Sequence, residues 1–169
     1  MEKNDETLMT KDITILEISA KLPNQLVGNI GLFYASYELS KRGWNCLPTM
    51  RNAKGPDIIA FSQDAKKKAF VQVQVKSLRP KSPNHKIPVP FGKSPILAAD
   101  YLVICVLHKI PEVYILTPKE VEDTLHRAEK EGRVSYWLEP KSYIEHKNRW
   151  DKIGNGFDLD IISHQPAIH

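Results

Sequence analysis

Gly55-Pro56-Asp57-Ile58-Ile59-Ala60, followed by Phe70-Val71-Gln72-Val73-Gln74-Val75-Lys76, is the stretch that decides the fold. An aspartate opens one apolar run, and Gln-x-Lys closes a second run that alternates strictly. In that second run Gln72, Gln74 and Lys76 fall on one face and Val71, Val73 and Val75 on the other, the period of two that a strand imposes. The lysine-rich residues 64–68 between the runs read as a turn, so a hairpin is expected. It would carry Asp57 to the polar face that ends in Lys76. A carboxylate, a neutral amide oxygen and an ammonium would then share one surface, the minimum set for holding a divalent cation against a phosphate.

The flanking sequence supplies the rest of an α/β domain. Residues 25–42 carry Leu26, Ile30, Phe33, Tyr34, Tyr37 and Leu39 near the spacing of a core-facing helix stripe. Asn24, just after Pro23, is the expected N-cap, and Lys41, Arg42 and Gly43 form a cationic last turn and a glycine stop. Gly28 and Gly31 inside this helix read as points of close helix–sheet packing. Residues 44–50 read as a strand. The continuous apolar run 101–107 implies a strand buried on both faces and therefore central in a mixed sheet. A further strand is expected at 113–116. Thr117, Pro118 and Glu120 form a capping-box helix start, with the helix expected to run to about Lys130 and to stop near Gly132. A short strand at 135–138 and a helix over 141–153, ending at Gly154, complete the reading. The expected architecture is a single domain over 1–169, a central mixed sheet flanked by helices. Its core spans about 24–153, between a polar N-terminal segment and an irregular tail.

Composition bounds the function. With 169 residues and 41% hydrophobic content the chain can bury a core. There is no apolar run of about 18 residues, so no membrane partner is expected. The N-terminal residues are polar and mixed in charge, unlike a secretory signal. Cys46 and Cys105, both in apolar strand-like runs, read as free thiols, which suits a reducing cytoplasm. The net charge of +4 is compatible with nucleic acid, but its distribution says more. From Val75 to Ala99 no acidic residue occurs, while Lys76, Arg79, Lys81, His85, Lys86 and Lys93 all fall inside. Pro80, Pro83, Pro88, Pro90 and Pro95 deny the same segment a regular helix or a central strand. It reads as a long, semi-rigid basic loop suited to phosphate contacts.

The order helix, Gly-Trp turn, strand, Pro-Asp strand, Gln-x-Lys strand resembles the PD-(D/E)XK nuclease superfamily, which includes many restriction enzymes and the Holliday-junction resolvases. The resemblance covers roughly residues 24–107. Pro56-Asp57 matches the first element of the motif, and Gln74-Val75-Lys76 matches the second with glutamine in place of the acid. Leu32 stands where the family helix usually has a glutamate. The resemblance implies a restriction-endonuclease-like fold and DNA as partner. It also implies metal-dependent phosphodiester hydrolysis by Asp57, Gln74 and Lys76. Asp57, the Gln74 side-chain oxygen and the Val75 carbonyl would hold Mg²⁺ or Mn²⁺, weakly until substrate arrives because only one protein anion remains. Two other readings stay open: an inactive nuclease fold that binds nucleic acid, and a protein-interaction module on the same fold. Monomer and homodimer also stay open. Other chemistry lacks support: the six histidines show no metal-ligand spacing, and there is neither a phosphate-binding glycine loop nor a nucleophile elbow.

Overall fold

The structure, a computed structural model, describes residues 21–49, 55–62, 69–79 and 88–157. Helix α1 (Asn24–Lys41) leads into β1 (Trp44–Pro48), β2 (Ile58–Ser62) and β3 (Phe70–Leu78). Strands β4 (Val89–Gly92), β5 (Tyr101–Val106) and β6 (Glu112–Leu116) follow. Next come α2 (Pro118–Thr124), β7 (Leu125–Lys130), β8 (Arg133–Leu138) and α3 (Pro140–Tyr143). Two 3₁₀ turns, Ile144–His146 and Trp150–Lys152, close the described chain. The architecture is mixed α/β. A five-stranded sheet has the order β1-β2-β3-β5-β6, and a three-stranded sheet has the order β4-β8-β7. In the larger sheet only the β3–β5 pair is parallel, as a crossover connection requires.

Burial follows the sequence pattern. β5, flanked by β3 and β6, buries all of its residues except Tyr101. On β3, Val73 enters the core cluster that α1 covers, together with Ala35, Leu39, Val103 and Cys105. A methyl group added at Gly31 would strike Ser77 Oγ and stand 3.2 Å from Cys105 Cβ, so glycine sets how closely α1 approaches the sheet. The opposite face carries a second cluster of Leu78, Leu102, Ile104, Val106 and Leu138, where the smaller sheet packs. Gly43 ends α1 with φ +82 and lies directly under the Phe157 ring, which leaves no space for a side chain.

Five local expectations are corrected. The α1 stripe expected to face the core mostly turns outward: Leu26, Ile30, Phe33 and Tyr37 are exposed, while the helix buries Val27, Gly31, Ala35 and Leu39 against the sheet. Pro23, not Asn24, is the N-cap, and its carbonyl accepts from Leu26 and Val27 N–H at 3.0 and 3.2 Å. The capping box at Thr117 and Glu120 forms as expected, but the helix that it starts ends at Thr124. Residues 125–130, expected to be helical, instead form β7, which pairs along its whole length with β8 through a turn at Glu131 and Gly132. The helix expected over 141–153 breaks into α3 and the two 3₁₀ turns. Asn148, with φ 55, donates its N–H to Val113 O at 2.8 Å, so this backbone docks on the edge of β6 rather than on its own helical ladder. Finally, the proline-rich segment is not loop throughout. β4 is an edge strand, a position where Pro90 can pair with Trp137 without supplying a donor to a further strand.

Candidate active site

The site begins where the larger sheet splits. β2 pairs with β3 only as far as Ile58 opposite Val73, while β3 continues to Leu78 with β5 as its remaining neighbour. Asp57 sits at the split. Its N–H donates to Val73 O at 2.9 Å, and its Oδ2 accepts the Val75 N–H at 2.7 Å. The carboxylate thus takes the ladder position that a further β2 residue would have filled. Because a strand residue sends its N–H and C=O to the same edge, the Val75 carbonyl opens into the same notch. Thr49 fixes the approach. Its N–H donates to Asp57 O and its hydroxyl to Pro56 O, both at 2.9 Å, so the Pro-Asp step is tied to the end of β1.

Gln74 and Lys76 follow the strand alternation onto the face shared by Leu102 and Ile104, their β5 partners. Both are half-buried. The Lys76 ammonium stands 5.8 Å over the centroid of the Phe91 ring, which reaches across from β4 in the smaller sheet. Leu32 packs, partly buried, against the cluster of Val73, Val103 and Cys105 on the other face of the sheet. Of the basic residues, Arg79 points back to α1, where Nη2 donates to Asn24 Oδ1. Lys93 is exposed in the turn after β4, two residues beyond Phe91. Lys81, His85 and Lys86 lie outside the described residues.

No family model matches this chain, and no curated protein matches it. Among solved structures, the bacterial homing endonuclease I-Ssp6803I is similar, with a TM-score of 0.56 at 19% identity, over 78% of this chain and 91% of that one. The fold is shared with a homing endonuclease. At this identity the likeness is one of backbone architecture. Among the described residues no helix is long and apolar enough to cross a membrane.

A second polar cluster went unread in the sequence. Lys152, only 11% exposed in its side chain, donates to Glu120 at 2.6 and 2.8 Å, to Ile115 O at 3.0 Å, and meets His146 Nδ1 at 3.1 Å. Burial pushes the Glu120 carboxyl up, but the Lys152 ammonium and the Thr117 donors outweigh it and hold the group at about 2. Burial, then the Lys152 charge, pushes His146 down. The capping box announced Glu120, but nothing local marked Lys152, which reaches it from 32 residues away. Its backbone carbonyl also accepts the Tyr101 hydroxyl at 2.8 Å, so the cluster ties β5, β6 and α2 to the C-terminal turns. Cys46 and Cys105 are free thiols, and burial pushes Cys105 up to about 12, which leaves it inert as a nucleophile.

Proposed function

We propose that the chain is a divalent-metal-dependent DNA endonuclease of the PD-(D/E)XK type, built as one nuclease-like domain. The observation that carries this reading is the Asp57 carboxylate bonded to the Val75 N–H at the sheet split, with Gln74 and Lys76 on the adjoining strand face. The donor set fits a hard cation: one carboxylate, one amide oxygen and one main-chain carbonyl, with no sulfur or imidazole. Asp57, Gln74 and Val75 would hold Mg²⁺ or Mn²⁺, weakly before substrate because Asp57 is the one anion among them. When bound, the cation would polarise the scissile phosphate and acidify a water. Asp57 is held rigidly for this by its two strand hydrogen bonds, which lowers the reorganisation needed on substrate arrival. Lys76 supplies a positive charge for the phosphate oxygens and for the charge that develops on them. Lys93, exposed after β4, is the described basic residue of this segment open to a DNA backbone; Lys81, His85 and Lys86 are proposed as further phosphate contacts, and Arg79 would join them only by giving up its bond to Asn24. The free thiols favour a reducing, cytoplasmic setting.

The test is cleavage of linear, nicked and branched DNA with Mg²⁺ or Mn²⁺. Asp57→Asn is expected to remove cleavage while DNA binding survives, and Lys76→Ala to remove cleavage and weaken binding slightly. Gln74→Glu, which adds a second anion, is expected to tighten metal binding. If wild type cuts none of these substrates and Gln74→Glu awakens no activity, the catalytic reading falls.

A separate observation favours a homodimer. The solvent side of α1 carries Leu26, Ile30, Phe33 and Tyr37, which are 44%, 38%, 61% and 57% exposed. They follow the four-three-four spacing of a helix–helix seam, and no charge occurs from Leu22 through Tyr37. A second copy across a twofold axis matches such a stripe to itself. Phe33→Glu is expected to convert dimer to monomer in sedimentation; wild type that sediments as a monomer at every concentration excludes the dimer.

A further inference from the structure

The smaller sheet sorts its side chains in a way that packing alone does not require. Residues directly opposite in an antiparallel ladder share a face. On β7 and β8 this puts Leu125 with Leu138, Arg127 with Tyr136, and Glu129 with Val134 on one face. That face turns inward at Leu138, which is fully buried. The other face carries His126 with Trp137, Ala128 with Ser135, and Lys130 with Arg133. Ala128, Lys130, Arg133 and Ser135 on it are all exposed.

Charge divides between the two faces. Glu129, the one carboxylate of the paired residues, lies on the inner-face side and is bound by Arg127 at 2.6 Å. The outward face keeps Lys130 and Arg133 directly opposite each other. Like charges in that position destabilise a ladder, so this hairpin bears a cost that a polyanionic partner would offset. Two carboxylates bound the face without interrupting it. Glu131 sits in the two-residue turn, where it and Gly132 both have positive φ (52 and 73). Glu139 lies at the root, where it accepts the Trp137 Nε1–H at 2.5 Å. At the same root the His126 and Trp137 rings stack, with centroids 5.7 Å apart and planes 20° from parallel.

We propose that this outward face of β7 and β8 is a contact surface for duplex DNA that enters the major groove. The inference rests on the DNA reading above and adds where and how the duplex is held. The width suits it: β4 pairs with β8 only from Leu138 to Tyr136, so from Ser135 to the turn the hairpin is two strands roughly 5 Å apart, and a two-stranded ribbon enters a major groove about 12 Å wide. Ala128 and Ser135, small and central, let the ribbon approach base edges, with the Ser135 hydroxyl available as donor or acceptor. Lys130 and Arg133 at the tip meet phosphates, and the His126–Trp137 stack stiffens the root.

The experiment measures binding of the full chain to a fluorescent duplex across a salt series. Lys130→Gln with Arg133→Gln is expected to weaken binding roughly tenfold at moderate salt and to flatten the log–log salt slope by about two, one for each lost phosphate contact. Ser135→Glu, which sets a carboxylate among the bases, is expected to weaken binding at least as much. Arg127→Gln, on the other face, should leave the slope unchanged. Circular dichroism confirms that each variant is folded. If wild type binds with a salt-sensitive slope and neither Lys130/Arg133 neutralisation nor Ser135→Glu alters it, the ribbon proposal fails while the DNA reading stands. If wild type shows no salt-sensitive binding to any duplex, both fail.

Discussion

The two sheets of this protein rest on different kinds of sequence. In the five-stranded sheet side chains make the strands: β5 is apolar throughout and almost wholly buried, and β3 alternates valine with polar residues between two clusters. In the three-stranded sheet the backbone does more of the work. β7 reads Leu-His-Arg-Ala-Glu-Lys, its last four residues are exposed, and it is a strand because β8 pairs with it and a two-residue turn joins them. Where burial makes a strand, composition announces it. Where pairing makes a strand, composition argues for something else, because Leu, Arg, Ala, Glu and Lys all favour helices.

The sharpest way to break this contrast is one substitution made in both sheets. Leu102→Ala on β5, at a fully buried position, is expected to cost about 2–5 kcal/mol in urea unfolding. Leu125→Ala, half-buried at the root of β7, should cost about 1 kcal/mol. Equal losses would mean that burial carries both sheets alike. A second test probes how tightly α1 grips the larger sheet. Gly31→Ala forces contact with Ser77 and should destabilise by about 1–3 kcal/mol. Gly28→Ala, three residues earlier with nothing within 4 Å of the new methyl, should stabilise by about 0.5–1 kcal/mol. The opposite signs are the prediction, read as shifts in thermal midpoint.

The third and smallest effect concerns the cluster on α2, the helix that leads into the smaller sheet. Glu120 falls from its usual 4.5 to about 2 in the folded chain, so its ionised form stabilises the fold above about pH 4.5. That contribution disappears as pH falls from 4.5 towards 2. Allowing for the partial exposure of Glu120, it is worth about 1 kcal/mol. Lys152→Met should therefore lower stability at pH 7 and narrow its deficit against wild type as the solution is acidified. A deficit that stays constant down to pH 3 would assign the loss to packing instead.

Legibility in the sequence follows the same division. The Asp57 hairpin, the β3 alternation, the central β5 and the Gly43 stop were all readable, because each is enforced by burial or by a backbone angle that few residues tolerate. Thr117 and Glu120 revealed where α2 starts but not where it ends, since a cap acts on the first turn alone. Over 141–153, Trp150 and Ile153 are buried at a spacing that suits a helix, yet Asn148 turns its backbone onto β6. No local pattern could report that edge. At the candidate site, spacing correctly put Gln74 and Lys76 on one strand face. The bond from Val75 N–H to Asp57 depends on where β2 stops pairing, and that belongs to the assembled sheet.

The last described residues close over the junction of α1 and β1. Gly154 O accepts the Trp44 indole N–H at 3.0 Å, a contact that spans 110 positions, Gly156 N–H donates to Arg42 O at 2.8 Å, and Ser62 Oγ bonds Gly156 O. During synthesis, then, the helix, the Pro-Asp hairpin and β5 all emerge before the piece that covers Trp44 exists. A nascent chain halted before this strap leaves that ring exposed, and contacts of such long sequence separation slow the final step of folding. The shell around β1 is therefore complete only after residues 154–157 have left the ribosome.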